Sequence, residues 1–136
     1  EGRTHNSEIK KIYSPIGKPA RTAFSLFPLI DNAGKGFEYI DELLKASFQD
    51  GINIGDYDYL KKLVTNLGLD WDNIKQDLNT KKWKKILNDN VDDMFKGDCW
   101  GVPSFKITNE DGTDPYYVWG QDRMWLLKEE INKRLS

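Results

Sequence analysis

Gly101-Val102-Pro103-Ser104-Phe105-Lys106-Ile107 is the stretch whose reading decides the fold. Upstream of it apolar residues recur at helical spacing, and from Phe105 onward they alternate as in a strand. A proline can open a strand but not occupy its middle, because it has no N–H for the ladder. X-Pro is also the bond at which cis is accessible, at roughly 0.5–1 kcal/mol above trans. A cis Val102–Pro103 bond would turn the Val102 backbone outward. Its N–H and C=O would then be free to pair with an extended ligand. The plainer reading is a turn that closes a helix and starts a strand.

Working outward on the C-terminal side, Ser104 to Thr108 reads as one strand and Tyr116 to Trp119 as a second. Asn109-Glu110-Asp111-Gly112-Thr113-Asp114-Pro115 between them is rich in turn residues, so the pair is expected to form a hairpin. Arg123 to Leu135 is the last helix, with Met124, Leu127, Ile131 and Leu135 on its apolar stripe and Lys133 and Arg134 suited to its C-terminal dipole.

On the N-terminal side, residues 1–18 are polar and unpatterned and read as an arm or linker, with His5 a solvated residue. Pro19 fits the first turn of a helix. Ala20 to Ala33 has helical spacing, which Pro28 should kink or split. Phe37 to Phe48 is a clear amphipathic pattern, with Phe37, Ile40, Leu43, Leu44 and Phe48 on one face and Gly51 after it. Asp56 is a cap for a helix burying Leu60, Leu63, Val64 and Leu67, which Gly68 stops. Asp70 caps a short helix with Trp71, Ile74 and Leu78. Thr80 is placed to cap another, carrying Trp83, Ile86, Leu87, Val91, Met94 and Phe95 and ending at Gly97.

The totals narrow the classes of function. The chain has 136 residues, suited to one domain, with 20 Lys and Arg against 22 Asp and Glu. This balance gives no general pull towards nucleic acid or a membrane surface. No apolar run reaches the ~20 residues of a membrane span. Cys99 is the one cysteine, so the chain holds neither an internal disulfide nor a Cys-x-x-Cys pair. A single histidine discounts a multi-His metal site, and no metal is expected.

A second motif, Trp119-Gly120-Gln121-Asp122-Arg123, opens the last helix. With Val102, Pro103, Ser104 and Phe105 ahead of it, in the same order and after a helical region, the chain resembles the thioredoxin-like family of the DsbA type. Within that family it is most similar to the 2-hydroxychromene-2-carboxylate isomerases and kappa-class glutathione transferases. The Ile54-Gly55-Asp56 and Leu67-Gly68-Leu69-Asp70 stretches also resemble loops of the family. The resemblance implies an α/β fold, mostly helical in this chain. Residues 19–97 would be the helical insertion, and residues 98–136 the C-terminal part of the thioredoxin-like domain, with the cis-Pro strand, the hairpin and the last helix. The strand–helix–strand unit that begins such a domain, with its catalytic serine or cysteine pair, is not found here. It is expected upstream of Glu1 or on a partner chain, and the simplest account is a C-terminal part of a longer protein. No catalytic residue is therefore assigned within the chain.

The resemblance further implies glutathione as cofactor and a small organic co-substrate, bound by Val102, Pro103, Gln121 and Asp122. The Val102 edge would pair with the cysteinyl part. Gln121 and Asp122, at a helix N-terminus, would hold the carboxylate and ammonium ends of the γ-glutamyl group. For Asp122 the plainer reading is an N-cap, and for Arg123 a surface residue. Trp100 and Trp119 either wall a co-substrate pocket or belong to the core. Cys99 reads as a small buried hydrophobe. Lys81, Lys82, Lys84 and Lys85 read as a solvated face, with a phosphate or nucleic-acid contact as the weaker alternative. The expected function is a glutathione-dependent isomerase or transferase in the cytoplasm, binding neither nucleic acid nor membrane, with a homodimer as one possible assembly. The alternatives are a thiol–disulfide oxidoreductase with Cys-x-x-Cys upstream and a non-catalytic interaction module.

Overall fold

The structure, a computed structural model, describes residues 11–136. The reading of His5 lies outside them. The chain divides into two compact units, one extending to Ile86 and the other running from Leu87 to Ser136.

The first unit is helical: α1 (Lys18–Ser25), α2 (Phe27–Asn32), α3 (Gly36–Phe48), α4 (Tyr57–Asn66) and α5 (Trp71–Ile74), the last followed by a 3-10 turn at Lys75–Asp77. Pro19 sits in the first turn of α1, and Pro28 in the first turn of α2. The expected helix over residues 20–33 is thus split at Leu26, since Pro28 fits the start of a helix but not its interior. Asp56 caps α4 by accepting a hydrogen bond from the Tyr59 N–H at 2.9 Å. Asp70 does the same for α5 through the Asp72 N–H at 3.0 Å. Gly68, at φ +78°, ends α4 in the left-handed region that favours glycine.

The core of this unit is Ala23, Leu26, Ile30, Tyr39, Leu43, Ala46, Ile54, Leu60, Leu63, Val64, Trp71 and Ile74. The burying face of α3 differs from the expected one. Tyr39, Leu43, Ala46 and Ser47 point inward, whereas Phe37, Leu44 and Phe48 are exposed. Aromatic content misled the pattern. Tyr39 occupies the core because its hydroxyl donates to the Ala23 carbonyl at 2.8 Å, so its polar tip is satisfied while its ring is buried. Burial raises the Tyr39 hydroxyl pKa well above its usual value, which keeps it a neutral donor. At Gly55 the backbone of Pro19 comes so close that an added Cβ would lie 2.7 Å from the Pro19 Cα. Ahead of α1, Tyr13 N–H donates to the Ser47 carbonyl at 2.9 Å, which ties the chain there to the end of α3.

The helix α6 (Trp83–Lys96) begins in the first unit and continues into the second. Thr80 does not cap it: its hydroxyl is buried without a hydrogen-bond partner. The second unit then contains β1 (Ser104–Ile107), β2 (Tyr116–Trp119), a 3-10 turn at Gln121–Arg123 and α7 (Met124–Leu135). The strands are antiparallel, pairing Ser104 with Trp119, Phe105 with Val118, Lys106 with Tyr117 and Ile107 with Tyr116. Among the described residues the sheet has only these two strands. Arg134 of α7 grips the hairpin turn. Its guanidinium donates to Asn109 Oδ1 and to the Asp114 carbonyl, each at 2.8 Å, and pairs with Glu130 at 2.7 Å. The α7 stripe is buried only at Leu127; Met124, Ile131 and Leu135 are exposed.

Two substitutions test the first unit. Leu60→Ala, at a fully buried position of α4, should lower unfolding free energy by about 2–5 kcal/mol. Tyr39→Phe removes a single hydrogen bond and should cost only about 1 kcal/mol. Urea denaturation followed by circular dichroism measures both; a loss for Tyr39→Phe as large as that for Leu60→Ala would contradict a net value of about 1 kcal/mol for this hydrogen bond.

Candidate functional site

The site is built on one end of the hairpin. The Gly120 N–H donates to the Pro103 carbonyl at 3.0 Å, one step beyond the Ser104–Trp119 pair. The two motifs singled out in the sequence therefore meet there. Gly101 lies against Trp119, where an added Cβ would come within 2.9 Å of the indole Nε1. Ser104 closes the turn by donating from its hydroxyl to the Gly101 carbonyl. The Val102–Pro103 peptide bond is cis. Val102 is 87% exposed, and among the described residues no hydrogen bond engages its N–H or C=O. An extended main chain could add to both groups in the manner of a strand.

Gln121, Asp122 and Arg123 form the 3-10 turn just beyond Gly120, and all three are exposed. Asp122 does not cap α7. The residue at that cap is Arg123, with no side-chain cap bond. Instead the Asp122 carboxylate folds back over Gly120, close enough that an added Cβ would lie 2.5 Å from Oδ1. Gly120 has φ +100°, so glycine is required there on both counts. Trp119 is 39% exposed at this end of the hairpin. Trp100, also exposed, donates from its indole N–H to Asp98 at 2.8 Å and lies 5.2 Å from the Phe95 ring. Cys99 is buried, with its thiol 3.5 Å from the Gly97 carbonyl.

A trough of about 410 Å³ runs beside Val102. Leu87, Val91, Met94 and Phe105 supply apolar walls, and Asp93, Lys106 and Tyr117 supply polar ones. The polar three form a network that the sequence pattern did not reveal. Lys106 and Tyr117 are cross-strand partners. The Lys106 ammonium lies 2.8 Å from Asp93 Oδ2, and the Tyr117 hydroxyl donates to Asp93 Oδ1 at 2.8 Å. The ammonium also stands 5.6 Å from the centre of the Tyr117 ring. The Lys106–Tyr117 pairing was available from the hairpin register; that Asp93 reaches both was not.

Lys106 is the largest influence holding the Asp93 carboxyl below its ordinary range, and Tyr117 adds to it. Asp93 in turn raises both Lys106 and Tyr117. The carboxylate's contribution is thus complete above its unfolded value of about 4 and is lost as pH falls through the lower folded value. The lysine's contribution is complete below its unfolded value of about 10.4 and is lost as pH rises through the higher folded value.

The DSBA-like thioredoxin domain matches residues 18–132 of this chain. A Bacillus subtilis (strain 168) protein, named uncharacterized protein YwbO, is 34% identical over 86 residues, covering 62% of this chain and 43% of that protein. The chain therefore matches less than half the length of that relative.

Two outcomes follow from the network. Asp93→Asn should reduce the acid limb of the second unit's stability, so that amide hydrogen exchange in β1 and β2 accelerates less than in the parent, beyond the intrinsic rate change, on going from pH 6 to pH 3. Gly97→Ala should destabilise the unit by about 1–3 kcal/mol, because the new Cβ would meet the Tyr117 ring at 2.2 Å; a thermal melt unchanged from the parent would contradict this.

Proposed function

The chain belongs to the DSBA-like thioredoxin domain family, and we propose that it is the C-terminal portion of a glutathione-dependent isomerase or transferase. The observation that carries this reading is the Gly120–Pro103 hydrogen bond, which brings the unpaired Val102 backbone and the Gln121–Asp122 turn to the same end of one hairpin. A tripeptide thiol suits such an arrangement. Its cysteinyl main chain adds to Val102 as a short strand. Its γ-glutamyl ammonium is met by the Asp122 carboxylate, and Gln121 offers an amide to the carboxylate beside it. The apolar walls of the trough beside Val102 accept a small organic co-substrate.

The reactive thiol is that of glutathione, used as the thiolate. The residue that stabilises the thiolate belongs to a strand–helix–strand unit that completes the sheet. Support for such a unit comes from the exposed apolar side chains Trp100, Met124, Trp125 and Leu135 of the second unit and from a sheet of two strands among the described residues. Large apolar side chains left in solvent are candidates for burial by a further element.

The test is a glutathione titration of the ¹⁵N-labelled chain. The amides of Val102, Gln121 and Asp122 should shift together and saturate. Asp122→Asn should weaken binding by up to roughly fivefold, the value of one solvent-exposed charge pair. Saturable shifts that leave Val102 and Asp122 unmoved would overturn the assignment of the site, and the absence of any saturable shift would overturn glutathione as the ligand.

A further inference from the structure

The basic cluster read from the sequence as a solvated helical face is one wall of a cleft in the first unit. The cleft has a volume of about 360 Å³. Lys18 and Arg21 approach it from α1, and Lys81 and Lys84 from the segment that opens α6. The two groups lie some sixty residues apart in sequence and are held together by neutral hydrogen bonds. Thr22 donates from its hydroxyl to Asn79 Oδ1 at 3.1 Å. The Asn79 N–H donates to the Ser25 hydroxyl at 2.8 Å. Thr22 and Ser25 are buried, and Asn79 takes the left-handed conformation, φ 63°, that this turn imposes. The floor of the cleft is therefore fixed, while its rim carries four cations.

Nothing among the lining residues balances that charge, since none is a carboxylate. Asp77, two residues before Asn79, is buried and already paired with Lys82 at 2.5 Å. The side chains of Lys18, Arg21 and Lys81 have no ion-pair or hydrogen-bond partner among the described residues. Several lysines elsewhere are paired, Lys35 with Glu38, Lys45 with Asp41, Lys75 with Asp72 and Lys106 with Asp93. Like charges gathered on a fixed cavity repel one another, and an anion relieves that repulsion. A second, independent observation points the same way. The Thr80 hydroxyl, on the lining, is buried and has no partner, and buried polar groups in native structures are nearly always hydrogen-bonded.

We propose that this cleft binds a small phosphate monoester. The planar Arg21 fork and the lysine ammonium groups match phosphate oxygens. The Thr80 hydroxyl supplies a short neutral hydrogen bond to the same group. Trp83, half-buried on the lining with Lys84 at 6.0 Å from its ring, offers an apolar face to the organic part of the ester. The site uses none of the residues assigned to glutathione, so it stands or falls separately from that reading.

The experiment is a titration of the ¹⁵N-labelled chain at constant ionic strength, with inorganic phosphate and with glycerol 2-phosphate. The amides of Thr80 and Lys81 and the Trp83 indole N–H should shift saturably, with the ester binding at least as tightly as inorganic phosphate. Arg21→Gln and Lys81→Gln change exposed side chains and leave the fold intact. Each should weaken binding measurably, by up to roughly fivefold. Lys62→Gln, on the exposed side of α4, should leave it unchanged. Shifts spread over surface lysines without saturation, or equal weakening by Lys62→Gln, would overturn the proposal. So would a single-stranded oligonucleotide that occupies the cleft and is not displaced by glycerol 2-phosphate, since the cleft would then serve a polymer backbone.

Discussion

One carboxylate, that of Asp93, ties both strands of the hairpin to the end of α6. Its oxygens reach the Lys106 ammonium on β1 and the Tyr117 hydroxyl on β2. An isolated two-stranded hairpin is marginal in water. Here the apolar burial that could compensate is small, since the buried hydrophobic residues of this unit are Cys99, Val118 and Leu127. The network fixes the hairpin against the end of α6, and Gly97 lets the Tyr117 ring approach closely enough to make it. At the turn, Arg134 fixes the hairpin to α7. Polar contacts thus tie the hairpin to α6 through Lys106 and Tyr117 and to α7 at its turn.

The first unit rests on the opposite balance. Its hydrophobic core draws on α1 to α5, and the Tyr39 hydroxyl within it is satisfied by the Ala23 carbonyl. Capping carboxylates at Asp56 and Asp70 and the stop at Gly68 define where helices begin and end. The same unit places the cations of Lys18, Arg21, Lys81 and Lys84 around one cleft through the Thr22–Asn79–Ser25 hydrogen bonds. The uncompensated rim brings the free protein repulsion without stabilisation, which is the basis of the proposal that the cleft takes an anion.

Much of this was legible in the sequence, for reasons that differ between elements. Helix ends were legible because capping is local: an Asp before an apolar pattern, or a Gly after it, satisfies or releases backbone groups whatever the rest of the chain does. The hairpin was legible because period-two strands flank a turn-rich stretch. The inward face of α3 was not, because Tyr39 reads as amphipathic until its hydroxyl finds the Ala23 carbonyl, and that partner lies sixteen residues away. The cap of α7 was not, because Asp122 turns back over Gly120 and a 3-10 turn intervenes. Asp93 and the Arg21 side of the cleft are tertiary facts, with no trace in spacing. The proposed glutathione residues were selected by resemblance, and what the fold adds is that Pro103 and Gly120 join their two motifs.

The central claim is that the Val102 backbone, at the open end of the hairpin, recognises an extended thiol peptide. The most direct measurement is of intermolecular nuclear Overhauser effects between S-methylglutathione, which cannot react, and the labelled chain. The account predicts contacts from the cysteinyl α and β protons to the Val102 amide, and from the γ-glutamyl protons to the Gln121–Asp122 turn. Contacts confined to the Asn109–Asp114 end of the hairpin, or to the first unit, would contradict it.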